Sequence, residues 1–196
     1  MQNVHVIYIN LDRRTDRRRE FEAECERMGI TAERFSAVTH PEPGIGCTRS
    51  HLEVLRYAKR QGYPHVAIFE DDFCFLVSRE ELERVVTAFP DDYDVVMFDR
   101  YMIQQEPYND MFDRVLEAQS AAGYVVHSRM YDRLIETLEE AVVLYEANPH
   151  CHWLYINDQY WKRLQPVSRW YVSRLQIGRQ RPGFSDLKGR DLENIY

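Results

Sequence analysis

Apolar residues along this chain fall into two patterns, short unbroken runs and stripes spaced three or four apart, and the two alternate. Val4 to Leu11 is rich in β-branched residues and predicts a first strand. From Thr15 to Met28 the spacing changes: Phe21, Cys25 and Met28 share one helical face, and Gly29 supplies the stop. Arg34–Val38 reads as a short strand, and residues 40–46, rich in Pro and Gly, as a loop. A second helix is expected to start near Thr48 to Ser50, where Ser50-x-x-Glu53 matches a capping box, and to close at Gly62. Val66–Phe69 is a run of four apolar residues, which predicts a strand buried on both faces. Ser78-x-x-Glu81 opens a third helix that stops before Pro90. Val95–Phe98 is a further strand leading into Asp99, and Ala121–Val126 is another, followed by a helix from Ser128 to about Tyr145. Residues 101–117 are polar and aperiodic and read as a loop that covers a site. His150–Leu164 holds a short aromatic-rich helix, and the last twenty or so residues read as an extended tail. Strands and helices alternating at this spacing predict an α/β sandwich with a mostly parallel central sheet.

Size and charge narrow the function. A chain of 196 residues, 44% hydrophobic, fits one domain spanning 1–196 with a real core. Its net charge of −7 argues against a broad nucleic-acid binder, so basic groups act locally. All but three of the 25 basic residues are Arg, the exceptions being Lys59, Lys162 and Lys188, and most are solvated surface. Cys25, Cys47, Cys74 and Cys151 form no C-x-x-C pair or disulfide framework, which points to a reducing compartment. With no signal-peptide pattern and no apolar stretch of ~20 residues, the expectation is a cytoplasmic protein without a transmembrane segment.

The candidate chemistry centres on Glu70-Asp71-Asp72, where the buried run 66–69 ends. Alternation along an extended chain sends Glu70 and Asp72 to one side and Asp71 to the other. Two converging oxygen donors suit Mg²⁺ or Mn²⁺ that also holds phosphates, and a solvated acidic turn is the plain alternative. Asn10 to Arg17 follows the first strand, at the same sheet edge if the strands are parallel. Arg13 and Arg17 are placed to meet a diphosphate, whereas Arg18 and Arg19 read as surface. Gly44 to His51 is a glycine turn into a helix start, a feature also common to ordinary helices. His150-Cys151-His152 resembles a metal tract, but adjacent ligands rarely converge on one ion, so no zinc is assigned. Asp158, between Trp153 and Trp161, is a candidate base or part of a helix cap beside a Trp-rich core. Aromatics among residues 145–171, expected to be exposed, offer a candidate oligomer interface.

Taken in order, these pieces resemble glycosyltransferase family 25, which includes lipooligosaccharide galactosyltransferases of lipopolysaccharide biosynthesis and collagen hydroxylysine galactosyltransferases. The matching residues are Ile9-Asn-Leu-Asp-Arg-Arg-x-x-Arg17, Arg34-Phe-Ser-Ala-Val38, Ile45-Gly-Cys-x-x-Ser-His-Leu52 and Ile68-Phe-Glu-Asp-Asp72. Weaker matches follow at Ala122-Gly-Tyr-Val-Val126, Asp158 and Gln180 through Leu187. The resemblance implies a GT-A-like, Rossmann-like fold, a UDP-sugar donor, dependence on Mn²⁺ or Mg²⁺, and inversion at the anomeric carbon. It implies that Asn10, Leu11, Arg13 and Arg17 lie near the nucleotide and its phosphates. Ala37 and Val38 would lie near the base, Ser50 near the donor sugar or diphosphate, and Glu70, Asp71 and Asp72 in the metal-binding acidic motif. Residues 1–100 would form the nucleotide-sugar and metal-binding part, and 101–196 the acceptor side and tail. Asp72, supported by Glu70, is the expected metal ligand; Asp158 is the first choice for the base and Asp99 the second. The acceptor would be a glycan, lipid-linked or protein hydroxyl, and the hexose galactose or glucose. The rival readings are a non-catalytic nucleotide-sugar-binding protein and, more remotely, a metal-dependent phosphodiesterase or nuclease.

Overall fold

In a computed structural model, residues 4–99 and 101–192 are described. The chain opens with β1 (His5–Asn10), α1 (Thr15–Met28), β2 (Glu33–Ser36), α2 (Pro43–Gln61) and β3 (His65–Glu70). Next come β4 (Phe73–Phe75), α3 (Arg79–Thr87), β5 (Val95–Met97), β6 (Tyr101–Pro107), β7 (Phe112–Gln119) and β8 (Gly123–His127). A 3₁₀ turn at Ser128–Met130 leads into α4 (Tyr131–Ala147), α5 (His152–Tyr155), α6 (Asn157–Tyr160) and a second 3₁₀ segment at Trp161–Val167. The chain closes with β9 (Trp170–Ser173), β10 (Gly178–Gln180), β11 (Gly183–Ser185) and β12 (Arg190–Leu192).

Eight strands make one sheet in the order β2-β1-β3-β8-β5-β9-β7-β6. β1 pairs in parallel with β2 and β3, and β5 with β9, while β8 and β7 pair antiparallel with their neighbours. Followed across the sheet, those pairings leave β7 and β8 as the two strands running against the rest, so the sheet is parallel in its majority. Because β8 lies between β3 and β5, the two halves of the chain share this one sheet.

Side-chain alternation builds a layer on each face. Ile7 and Ile9 of β1 and Val66 and Ile68 of β3 pack with Leu52, Leu55 and Ala58 of α2 and Leu134 and Leu138 of α4. Val6, Tyr8, Ala67 and Phe69 point the other way, onto Phe21, Cys25 and Met28 of α1 and Leu82 and Val85 of α3. The predicted three-layer sandwich is therefore present, and α1 keeps its expected bounds. Gly29 is left-handed at φ 62°, with its N–H returned to the last turn of the helix. Ser78 caps α3 in a reciprocal capping box with Glu81.

Three expectations are corrected. Residues 101–117 are not a loop but the outer hairpin β6–β7, with β6 at the sheet edge and mostly exposed. An edge strand facing solvent need not alternate, so it carries no hydrophobic period. The second correction concerns α2, which starts at Pro43, ahead of its expected start near residues 48–50. Proline at the first helical position donates no N–H and has a preset φ, so the loop-like composition conceals a helix start. Third, the aromatics of 145–171 are mainly core: Tyr145, Trp161, Trp170 and Tyr171 are buried, and Trp153 is 56% exposed. In the tail, β10 pairs with β4, and β11 with β12; residues 193–196 lie outside the described residues.

Candidate active site

β1, β2, β3 and β5 run the same way, so their carboxyl ends share one edge of the sheet. α1 leads from β1 to β2 on one side and α2 leads from β2 to β3 on the other, covering opposite faces. Such a switch of direction leaves a crevice beyond the ends of the two central strands. Here it is a cleft of about 200 Å³ lined by Leu11, Arg13 and Arg17, by Ala37 and Val38, and by Ser50, Glu70, Asp71 and Asp72. Nine residues assigned to the donor or its metal from sequence are thus gathered in one cleft. Asn10 lies beneath it, fully buried: its amide donates to Asp71 Oδ2 at 2.6 Å and accepts from Arg34 Nε at 2.9 Å.

The acidic triplet is arranged differently from strict alternation. β3 ends at Glu70 and a turn follows, so Asp71 and Asp72 both reach the same guanidinium: Arg17 Nη1 lies 3.0 Å from Asp71 Oδ1 and 2.9 Å from Asp72 Oδ2. Glu70 turns toward α2 and the tail, with Oε1 3.3 Å from His51 Nε2 and Oε2 accepting from Gln180 Nε2 at 3.0 Å. Burial raises the Glu70 pKa, but His51, then Arg17 and Gln180, outweigh it, and the group stays below its ordinary value. Burial and the Glu70 charge push Asp72 up to about 7 against the opposing pull of Arg17. Asp71 is also raised by burial, held back by Asn10 and Arg17. Asp72 Oδ1 is buried and has no hydrogen-bond partner among the described residues.

Helix α2 crosses the cleft as continuous helix, so residues 47–51 offer no helix N-terminus to an anion. The Ser50 hydroxyl is engaged, donating to Gly46 O at 2.7 Å and accepting from Val38 N at 2.9 Å. It therefore fixes the Ala37–Val38 segment at the cleft wall. Gly46 lets the two approach: a Cβ there would sit 2.8 Å from Val38 O.

A second cleft of about 360 Å³ adjoins the first and shares Cys47, Glu70, Asp72 and Gln180 with it. Its far wall holds Gln119, Ser120, Trp153, Asp158 and Lys188. Asp158 Oδ2 accepts from the Ser120 N–H at 3.0 Å. Burial raises its pKa and the Glu70 charge adds to that, against the Ser120 N–H and Lys162. Asp99 is buried and lines neither cleft; its Oδ2 accepts from the Ser120 hydroxyl at 2.7 Å. Ser120, at φ 97°, is held in a conformation that costs energy for a residue with a side chain, by partners on both sides.

The tail supplies groups to which sequence reasoning gave no role. Arg181 N donates to Asp72 O at 2.6 Å, and Asp186 binds Arg13 Nη2 at 2.8 Å and also Arg14. Gln180, Ser185 and Leu187 line both clefts. The order of motifs along the chain placed this segment in the match, but its contacts arise from pairing across more than 100 residues. The converging metal-type group among the described residues is likewise Cys47, His51 and Glu70, not the 150–152 tract.

No protein-family model matches the chain. A Glycosyltransferase 25 family member from Drosophila melanogaster is 25% identical over 76% of this chain. The chain resembles glycosyltransferase family 25. It spans about a third (32%) of the length of that relative. Among solved structures, a glycosyltransferase involved in the glycosylation of the major capsid of PBCV-1 superposes with a TM-score of 0.56 at 12% identity, covering 86% of this chain and 80% of that one. A197 from STIV gives a TM-score of 0.50 at 12% identity, over 98% and 95% of the two chains. At these identities the two structures establish a shared fold, GT-A-like and of mixed α/β type. Among the described residues no helix is long and apolar enough to cross a membrane.

Proposed function

We propose that this chain is an inverting glycosyltransferase that moves a hexose, galactose or glucose, from a UDP-sugar to a hydroxyl acceptor, with Mn²⁺ or Mg²⁺. The observation that carries this reading is the pair of clefts that meet on Glu70 and Asp72, one lined by arginines and one by the half-buried Asp158 carboxylate. The first would take the donor, its diphosphate toward Arg13 and Arg17 once Asp186 and Phe184 of the tail give way, and the second an acceptor, so the reacting carbon would sit at their junction.

The residues present fit a divalent cation. Asp72 carries a buried oxygen without a partner beside an ionised Glu70, and oxygen donors of this kind suit Mg²⁺ or Mn²⁺. When bound, such an ion supplies Lewis-acid neutralisation of the charge that develops on the leaving diphosphate. Arg17 is preorganised by Asp71 and Asp72, and its Nη2, which donates to Phe184 O, would exchange that carbonyl for a phosphate oxygen. In the second cleft Asp158 takes the proton of the acceptor hydroxyl as that oxygen attacks the anomeric carbon opposite the departing UDP. Its raised pKa moves a carboxylate toward the range where a general base works best. Asp99 supports Asp158 through Ser120 and is not itself the base.

The test measures UDP release from UDP-galactose, UDP-glucose and UDP-N-acetylhexosamines with Mn²⁺ or Mg²⁺. Asp72→Ala is expected to abolish cation-dependent turnover; activity within a few-fold of wild type rules out the metal role. Asp158→Asn is expected to lower kcat by about 10²–10⁴-fold with UDP affinity unchanged. A fall in UDP affinity instead would make Asp158 a binding residue. UDP binding without transfer or hydrolysis of any donor would mark a non-catalytic nucleotide-sugar-binding protein.

A further inference from the structure

Cys47 and His51 stand one helical turn apart on α2, so their side chains emerge on the same face. Strand β3 ends against that face at Glu70. Cys47 Sγ lies 3.8 Å and His51 Nε2 3.3 Å from Glu70 Oε1, and the three ligand atoms all fall within 4.8 Å of one another. A tetrahedral Zn²⁺ with bonds of about 2.0–2.1 Å to N and O and about 2.3 Å to S spaces its ligands roughly 3.3 Å (N to O) and roughly 3.6 Å (S to O). Both observed separations lie within a few tenths of an ångström of those edges. We propose that Cys47, His51 and Glu70 form a binding site for a thiophilic divalent cation of the Zn²⁺ type, which borders the donor cation's site at Glu70 but does not use the Asp72 carboxylate assigned to the donor.

The surroundings are prepared for such an ion. His51 Nδ1 lies 2.8 Å from the Tyr124 hydroxyl, which fixes the ring and leaves Nε2 to face the cluster. Asn157 Oδ1 lies 4.0 Å from Cys47 Sγ, while its Nδ2 is buried without a partner among the described residues. Turning that amide over aims an N–H at the sulfur, the contact a metal-bound thiolate takes and a neutral thiol does not need. Cys47 and Glu70 line both clefts and His51 lines the first, so an ion can enter and keep an open coordination position. Burial first, and then the charges of Glu70, Asp158 and Asp72, raise the Cys47 thiol pKa, and those same negative charges draw a dication in. On binding, the S–H bond breaks, its proton passes to solvent, and the metal–sulfur bond replaces it. The His51–Glu70 hydrogen bond is exchanged for two metal bonds.

Co²⁺ titration of the reduced full chain tests this without donor or turnover. The expected result is one equivalent bound with a thiolate-to-cobalt charge-transfer band and the intense visible bands of a four-coordinate ion, both bleached by Zn²⁺. Cys47→Ser, with its fold checked by circular dichroism, should lose the charge-transfer band, while Cys74→Ser and Cys151→Ser should keep it. Asp72→Asn should also keep it. Absence of the band in the wild type, its survival in Cys47→Ser, or its loss in Cys151→Ser overturns the site. Loss in Asp72→Asn overturns its separateness from the donor cation. A chain that shows the band but transfers no sugar leaves this site standing and removes only the transferase reading.

Discussion

Arg17 holds two buried carboxylates with one guanidinium, and on the transferase reading it also meets the diphosphate. Charge-assisted hydrogen bonds of this kind contribute about 1.5–3 kcal/mol each. Arg17→Ala is therefore expected to weaken UDP binding by about 10–100-fold, and to lower thermal stability because Asp71 and Asp72 lose their cation. Isothermal titration calorimetry with UDP and a melting curve check both; unchanged UDP affinity would leave Arg17 a purely structural group. Periodicity alone distinguished Arg17 from Arg19, since Arg17 lies one turn before Phe21, and in the structure Arg19 faces solvent. Its partners were not legible. The end of β3 at Glu70 breaks the alternation that sequence assumes, and only the turn brings Asp71 and Asp72 to one side. Ser50 is a similar case, because its bond to Val38 depends on where α2 begins.

Among the elements, the β11–β12 hairpin has the most to show. It is anchored by Asp186 on Arg13 and Arg14, and by Phe184 O, which accepts from Arg17 Nη2 at 2.7 Å. Asp186 occupies, as an anion, Arg13, one of the two arginines assigned to the diphosphate, so on the transferase reading donor binding has to displace it there. Burial raises its pKa, but Arg13 and Arg14 outweigh this and hold it below the ordinary carboxylate range. A depressed folded-state pKa gives a restraint that is complete above the unfolded value, near 4, and is lost as pH falls through the folded value. Amide exchange in residues 183–192, corrected for intrinsic rate, should thus accelerate below about pH 4 ahead of global unfolding. Asp186→Asn should give the faster exchange already at pH 7, and exchange unaffected by both changes would dismiss the clasp. Helices with a clear stripe and stop, α1 and α3, were readable because local chemistry fixes them. Hairpin β6–β7 and strand β9 were not read as strands, since their pairing is set by neighbours distant in the chain.

For the molecule as a whole, binding to the folded state alone raises stability by about 2.7 kcal/mol at a hundredfold excess over Kd. In a domain of this size that corresponds to a melting temperature about 5–11 °C higher. UDP with Mn²⁺ should give that shift and EDTA should reduce it, whereas a melting curve indifferent to both would count against the donor cleft. Sequence alone was enough for the α/β class, the acidic strand end and the arginine-bearing helix, because these rest on period, turn chemistry and short-range spacing. Tertiary structure decided which groups meet. It moved Asp99 beneath Ser120, Asn10 beneath Asp71, the tail onto Glu70 and Asp72, and Cys47 and His51 against Glu70. Contacts of this kind link residues far apart in the chain, and their geometry follows from how the sheet and its two helical layers pack, which no local pattern encodes.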